Sequence, residues 1–487
     1  MMNAMPELGI GIVYFRGFEP FLEKHARSLD VVELEPQTLW YEAGNKEAFG
    51  IDSGPNNFLK NLALPLLFHG VGAPIAGTHL PPAKMVRTLR EHAAQLAPLA
   101  FSEHLSFNTF SEGGRLVNTN FLLPPLQNEQ GIKAVLRNID HYRNSLQLPF
   151  AFETGVNYLK PLAGDMEDGR FVSEIAERAD CNILLDLHNI LVNHRNGRQP
   201  IHEFLAQLPH ERITELHLAN GFYHNGYYLD AHSGTMSTEL ADISLELVRS
   251  LPNLKAIIFE MLPDYIDKVS EGEFEQQLMQ MRRIWDARGK AVAGAATHRE
   301  PATIENDITA KEWEQNIGSL ALHRQVETAD WAHEIAGDEG LGIIRELIHI
   351  FRGSALVTNL QLSTRLIRLA LGEETFKDIL ARFFDTSAPE LFPYKTALRF
   401  ADFIKGKYAI RYLDGILSYE IASIRARSEG RTRTVAFDFN PFPVMRSLSH
   451  CELPGEQDMP MNFLVTIKND DETSPEDLLK LEAVYHT

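Results

Sequence analysis

Phe150-Ala151-Phe152-Glu153, Ile183-Leu184-Leu185-Asp186, Thr214-Glu215-Leu216-His217 and Ala256-Ile257-Ile258-Phe259-Glu260 are four short apolar runs, each finishing on a carboxylate or an imidazole. Asp230 and His232 lie between the last two. A buried strand has no use for a charged end unless something pairs with it, because an unpaired buried charge is very costly. Side chains gathered on metal at the open end of a barrel account for all four endings at once.

Outward from that stretch, strand-like runs alternate with amphipathic helical segments. The strands are expected at residues 8–15, 31–34, 64–71, 99–107, 150–153, 182–189, 213–219 and 256–261. Helices are expected over 20–29, a Pro-interrupted region after the second strand, 82–97, 129–146, 170–179, 201–208, 238–251 and 271–288, with a loop between strand four and its helix. Strict alternation over roughly 290 residues is the size and rhythm of a (β/α)8 barrel. Near-continuous apolar strands suit a parallel sheet covered by helices. An open doubly wound sheet would carry a Gly-rich phosphate turn after its first strand, whereas Gly9 and Gly11 fall inside that strand.

A barrel demands that functional groups sit at strand C-termini or in the loops just beyond. His69 and His104 end strands three and four, Glu153, Asp186, His217 and Glu260 end strands five to eight, and Asp230 and His232 follow strand seven. Carboxylates with imidazoles and no thiolate suit iron, manganese or catalytic zinc. They are too many for one ion, so about two or three ions sharing bridging carboxylates are expected. Alternation puts Glu215 and His217 on one strand face, as it would Asp230 and His232 in an extended loop. His188 competes with Asn189, since it follows Asp186 by two. Glu103, Glu167, Glu174 and Glu215 read as carboxylates that start helices or support ligands from behind. His194, His210 and His224 are expected in solvent.

Composition bounds the rest. With 44% hydrophobic and 23% charged residues, the 487-residue chain can bury a large core and more than one domain. Its net charge of −20 argues against a nucleic-acid backbone as main partner. Two cysteines, Cys181 and Cys451, are too few for a disulfide scaffold or thiolate cage. The start lacks the basic region and apolar core of a signal peptide, and no run approaches the ~20 apolar residues of a membrane span. A cytoplasmic location is expected. The expected domains are a barrel over 1–290, a linker over 291–312 and a smaller, mostly helical α+β domain with terminal strands over 313–487.

Residues 8–290 resemble the multinuclear non-heme iron-dependent oxidative enzymes (MNIO family), which modify ribosomally made peptides. The likeness rests on His69-Gly70-Val71-Gly72, Ser102-Glu103-His104-Leu105-Ser106, Asn120 to Pro124, Phe152-Glu153, Leu184 to Asn189, Glu215 to Ala219, Asp230-Ala231-His232 and Glu260. The resemblance implies a metal pattern shared with xylose-isomerase-like barrels. His69, His104 and Glu153 would hold one ion. Glu153, as a bridge, would hold a second with Asp186, His217 and Glu260, and Asn189, Asp230 and His232 would hold a third. It implies iron as cofactor, O2 as co-substrate, Asp186, His217 and Glu260 at the catalytic ion, and a precursor peptide modified at a cysteine. Thr154 departs from the family, which often has Asn after the strand-five Glu. The C-terminal domain resembles the small partner proteins that deliver the peptide in this family, which would make it a fused recognition module. The rivals are a metal-dependent phosphodiesterase of apurinic-site endonuclease type and a sugar isomerase. The first is weakened by the acidic charge, the second by the lack of a lysine in any strand-end motif.

Overall fold

The computed structural model describes residues 5–42, 47–289, 306–324, 329–429, 431–457 and 462–467. Eight parallel strands close a barrel in the order they occur in the chain: β1 Gly9–Tyr14, β2 Val31–Leu34, β3 Leu66–Gly70, β4 Phe101–His104, β5 Phe150–Glu153, β6 Asn182–Asp186, β7 Ile213–Leu218 and β8 Ala256–Phe259. Every residue of β1, β5, β7 and β8 is buried, as a sheet closed on itself and covered by helices requires. The covering helices start and stop at residues that local chemistry selects. The Asn128 side chain accepts from the amides of Gln130 and Gly131 to open Glu129–Leu146, and Ser270 with Glu273 forms a capping box opening Glu271–Asp286.

Register sets which strand ends meet. His104 lies opposite Glu153, and Asp186 opposite His217. The Glu260 amide, one residue past β8, donates to the Leu218 carbonyl at 2.9 Å. These ladders bring residues from β4 to β8 to one level of the C-terminal mouth.

Two local expectations differ. The sixth strand, read through Asn189, stops at Asp186, whose carboxylate accepts from the Asn189 amide and caps a helix over Leu187–Arg195. An apolar run does not distinguish a buried strand from a buried helix, and the cap decides it here. The segment after β4, read as a loop, folds as an antiparallel hairpin of Phe107–Glu112 with Arg115–Leu123. Gly113 and Gly114 at its tip have φ of 56° and 77°, which suits a two-residue hairpin turn.

The chain divides into two compact units, Met1–Trp40 with Lys46–Arg345, and Tyr41–Asn45 with Glu346–Thr487. This division falls later than the expected boundary at 313. The helix Ala310–Ala321 belongs to the barrel unit, where Trp313 Nε1 donates to the Pro124 carbonyl at 2.9 Å and Asn128 Nδ2 donates to the Ile308 carbonyl at 2.9 Å. Most of the expected linker, residues 291–305, lies outside the described residues.

The second unit has its own core. Leu366, Phe376, Phe383, Phe400, Ile416 and Phe437 bury together from the helices Gln361–Leu371, Glu373–Thr386, Pro393–Ile404 and Leu413–Glu429 and the antiparallel strand pair Arg433–Phe437 and Phe463–Ile467. Among the described residues no helix is long and apolar enough to cross a membrane.

Candidate metal centre

The first group of side chains comes from β3, β4 and β5. His104 Nε2 lies 2.9 Å and His69 Nε2 3.3 Å from Glu153 Oε2, and the two imidazole nitrogens are 3.3 Å apart. The far side of each ring is held. His69 Nδ1 meets Ser102 Oγ at 2.8 Å, and His104 Nδ1 meets the Gly70 carbonyl at 2.8 Å. Gly70 is required there, because a Cβ would lie 2.3 Å from the buried Glu103 Oε2.

The second group centres on His217. Its Nδ1 lies 3.3 Å from Glu153 Oε1 and 2.9 Å from Glu260 Oε1. Glu260 Oε2 in turn lies 3.2 Å from His232 Nδ1, and His232 Nε2 is 2.9 Å from Asp230 Oδ1. Glu153 and Glu260 thus each divide their two oxygens between neighbouring imidazoles, the arrangement of a carboxylate that bridges ions. Each of the sets His69–His104–Glu153, Glu153–His217–Glu260 and Asp186–His232–Glu260 offers ligand atoms within 4.8 Å of one another.

Metal fits these residues by the state of their polar atoms. Glu153 Oε2, Asp186 Oδ2, Asn189 Oδ1, His217 Nδ1, Asp230 Oδ1 and His232 Nε2 are buried and lack a well-formed hydrogen bond. Buried polar groups ordinarily find partners, so this concentration at one mouth calls for something that takes lone pairs. Oxygen and nitrogen donors without sulfur suit a hard or borderline divalent cation.

Burial and neighbouring charge set the proton affinities across the cluster. Burial opposes charge on His104, but Glu153 and Glu103 more than offset it, and its pKa is raised well above the usual range. His232 is buried too, yet Asp230 and Glu260 lift it to about 10. Burial would raise Glu260, and the His217 and His232 charges instead bring it to about 2. Asp186 goes the other way: burial, then the charges of Glu153, Asp230 and Glu260, push its carboxyl well up.

All nine residues singled out from the sequence are found at this mouth, with some changes of company. Asp186 groups with His232 and Glu260. Asp230 and His232 share a site although their loop is not extended, since His232 has φ of 45°, uncommon for a residue with a side chain. Asn189 keeps its Oδ1 unpartnered while Nδ2 donates to the Thr154 carbonyl at 3.2 Å. The competing His188 points the same way, with Nε2 3.5 Å from Asp230 Oδ1, and burial lowers its pKa to about 4. Thr154 ties strands together, accepting from the Asp186 amide at 3.0 Å.

Two carboxylates escaped sequence reasoning. Glu33 on β2 is fully buried with Oε1 2.9 Å from His217 Nε2. Glu35, two residues on, is pushed up to about 7 by burial, against which His69 works and to which Glu260 adds. The signal was available: Val31-Val32-Glu33-Leu34 is a strand with an acidic residue inside it.

The sequence model of the RiPP precursor modification enzymes MbnB/TglH/ChrH matches residues 21–272. The chain belongs to this family. RiPPs are ribosomally synthesised peptides modified after translation, so the protein is a precursor-modifying enzyme of the MNIO group, whose members use metal. Relatives include a UPF0276 protein of Anaeromyxobacter sp., 29% identical over 227 residues, covering 46% of this chain and 79% of that protein. Another is a UPF0276 protein of Chromobacterium violaceum, 29% identical over 225 residues with the same coverage. Among solved structures, D-allulose 3-epimerase from Methylomonas sp. aligns at 15% identity and a TM-score of 0.36, covering 59% of this chain and 95% of its own.

Proposed function

We propose that the enzyme oxidises a cysteine of a ribosomally made precursor peptide, using O2 at a centre of about two or three iron ions. The observation that carries this reading is the double sharing of Glu153 and Glu260, whose four oxygens face His69 and His104, His217, and His232. Bound iron would supply the redox chemistry with O2. The chain's part is to fix the ligands and keep water out. Ser102 and the Gly70 carbonyl hold the His69 and His104 rings with Nε2 turned inward. His217, Glu153 and Asp186 are buried, which shields this side of the centre from bulk water. Cys181 is no substitute for a substrate thiol, because burial pushes it up to about 12.

Protein prepared without oxygen should contain iron by elemental analysis and show coupled ferrous and ferric sites by Mössbauer spectroscopy. With O2 and a Cys-bearing precursor peptide, mass spectrometry should find a mass change confined to the cysteine. His217→Ala should lose the iron shared with Glu153 and Glu260 and all turnover, and intact turnover in that variant would refute the assignment. Cleavage of abasic DNA by the zinc-loaded protein would favour a hydrolase instead.

The second unit is assigned to holding the precursor peptide. It packs around its own core, and the potential ion-holding groups found among the described residues all lie in the barrel. A photo-crosslinking leader peptide should label residues within 346–467, and labelling confined to the barrel would count against this role.

A further inference from the structure

Strand β2 supplies none of the candidate ligands, yet its Glu33 reaches into the barrel directly behind one. Glu33 and His217 are both fully buried, and Glu33 Oε1 lies 2.9 Å from His217 Nε2. Neither oxygen of Glu33 has a well-formed hydrogen bond, and its 2.9 Å approach to His217 Nε2 is a charge contact. His217 therefore stands between two sets of carboxylates, with Nδ1 toward Glu153 and Glu260 and Nε2 toward Glu33.

An imidazole that binds an ion through one nitrogen in its neutral form must carry its proton on the other. The acceptor behind that proton fixes the tautomer, orients the ring and strengthens the ligand. His69 and His104 face the centre through Nε2; Ser102 Oγ stands behind His69, and behind His104 the Gly70 carbonyl at 2.8 Å is nearer than the Glu103 carboxylate at 3.6 Å. His217 is turned the other way round, facing the centre through Nδ1, and the nearest group behind it is a carboxylate.

We propose that Glu33 is a positioning residue for the metal centre: it accepts the Nε2–H of His217 and so commits Nδ1 to the ion shared by Glu153 and Glu260. This rests on the reading that an ion binds there. The rival is a further ion held by Glu33, Glu215 and His217 Nε2, which also offer ligand atoms within 4.8 Å of one another. One neutral imidazole cannot serve both sides. Binding an ion at Nε2 as well would strip its last ring proton, and the Nε2–H that Glu33 accepts would be gone.

The test is titration of the full-length, metal-free protein with Co2+ under anaerobic conditions, following stoichiometry and the d–d absorption bands. Glu33→Gln is expected to bind as many ions as the parent protein, with one of them weakened on the order of 10–100-fold and its band shifted. Glu33→Asp, which keeps a carboxylate, should recover part of that affinity. Ser102→Ala should perturb a different band, that of the His69–His104 ion. Circular dichroism of the metal-free variants checks folding, and Glu33→Asp is read alone if Glu33→Gln does not fold. Affinity and bands unchanged in Glu33→Gln, or in Glu33→Asp where it is read alone, would overturn the proposal. Loss of one whole equivalent would overturn it in favour of the further ion. If the parent protein takes up no Co2+, the metal reading of the barrel itself falls, and this proposal with it.

Discussion

Buried carboxylates occur in both units, alike by burial and different in everything else. Glu420, on the helix Leu413–Glu429, accepts from the amides of Leu362 at 2.6 Å and Ser363 at 3.0 Å, and from the Ser363 hydroxyl at 2.5 Å. It closes the first turn of the helix Gln361–Leu371, and although burial pushes its carboxyl up to about 7, those bonds pull against the shift. Asp186 and Glu153, buried as deeply at the barrel mouth, each keep an oxygen with no well-formed hydrogen bond. Burial of a charge is therefore no sign of function. A buried charge left without partners is, because leaving a polar atom unsatisfied costs about 1–3 kcal/mol unless something absent from the polypeptide repays it.

That contrast can be broken by experiment. The largest effect belongs to Glu260→Ala, which removes the carboxylate shared by His217 and His232. Iron content should fall to the ion held by His69, His104 and Glu153, with activity abolished, while full iron content would show that Glu260 bridges nothing.

Next comes pH. The His232 imidazole is raised from 6.5 to about 10 in the metal-free protein, so its positive charge stabilises that form below pH 6.5, and the contribution is lost as pH rises through about 10. An ion must displace this proton. Affinity should therefore climb as pH rises toward about 10, by up to about tenfold per pH unit for each proton released. Calorimetry in buffers of different ionisation enthalpy counts those protons, and a count of zero contradicts the ligand assignment.

Glu420→Ala should destabilise the second unit by about 1–3 kcal/mol in chemical denaturation, because two helix amides lose their acceptor, and leave iron content unchanged. Asp186→Asn should do the reverse. Burial and the charges of Glu153, Asp230 and Glu260 oblige the Asp186 carboxyl to take up a proton, which an amide does not need, so the metal-free protein should gain on the order of 1 kcal/mol at neutral pH while iron binding weakens. A loss of metal-free stability in Asp186→Asn would place Asp186 with Glu420, as a structural carboxylate.

The barrel was legible because its strands are apolar runs at regular intervals, and the candidate ligands because they break those runs at equivalent positions. Glu33 breaks its run one residue before the end instead of at it, so a search of strand ends passes over it. Asn189 and His188 could not be ranked from strand alternation, because the strand had already given way to a helix capped by Asp186. The hairpin after β4 was missed for a related reason: its alternation is short and its turn is only two glycines.

The amino-acid sequence by itself determined the alternation of strands and helices, the ends at which imidazoles and carboxylates appear, and the family to which the chain belongs, all of which are written in local pattern. Only the tertiary structure decided which of those side chains share an oxygen, which nitrogen each imidazole turns inward, and that a carboxylate from β2 stands behind His217. Those facts depend on register around a closed barrel, where residues far apart in the chain, such as Glu33 and His217, come within 2.9 Å. Proximity of that kind is fixed by the closure of the sheet, and no local pattern encodes it.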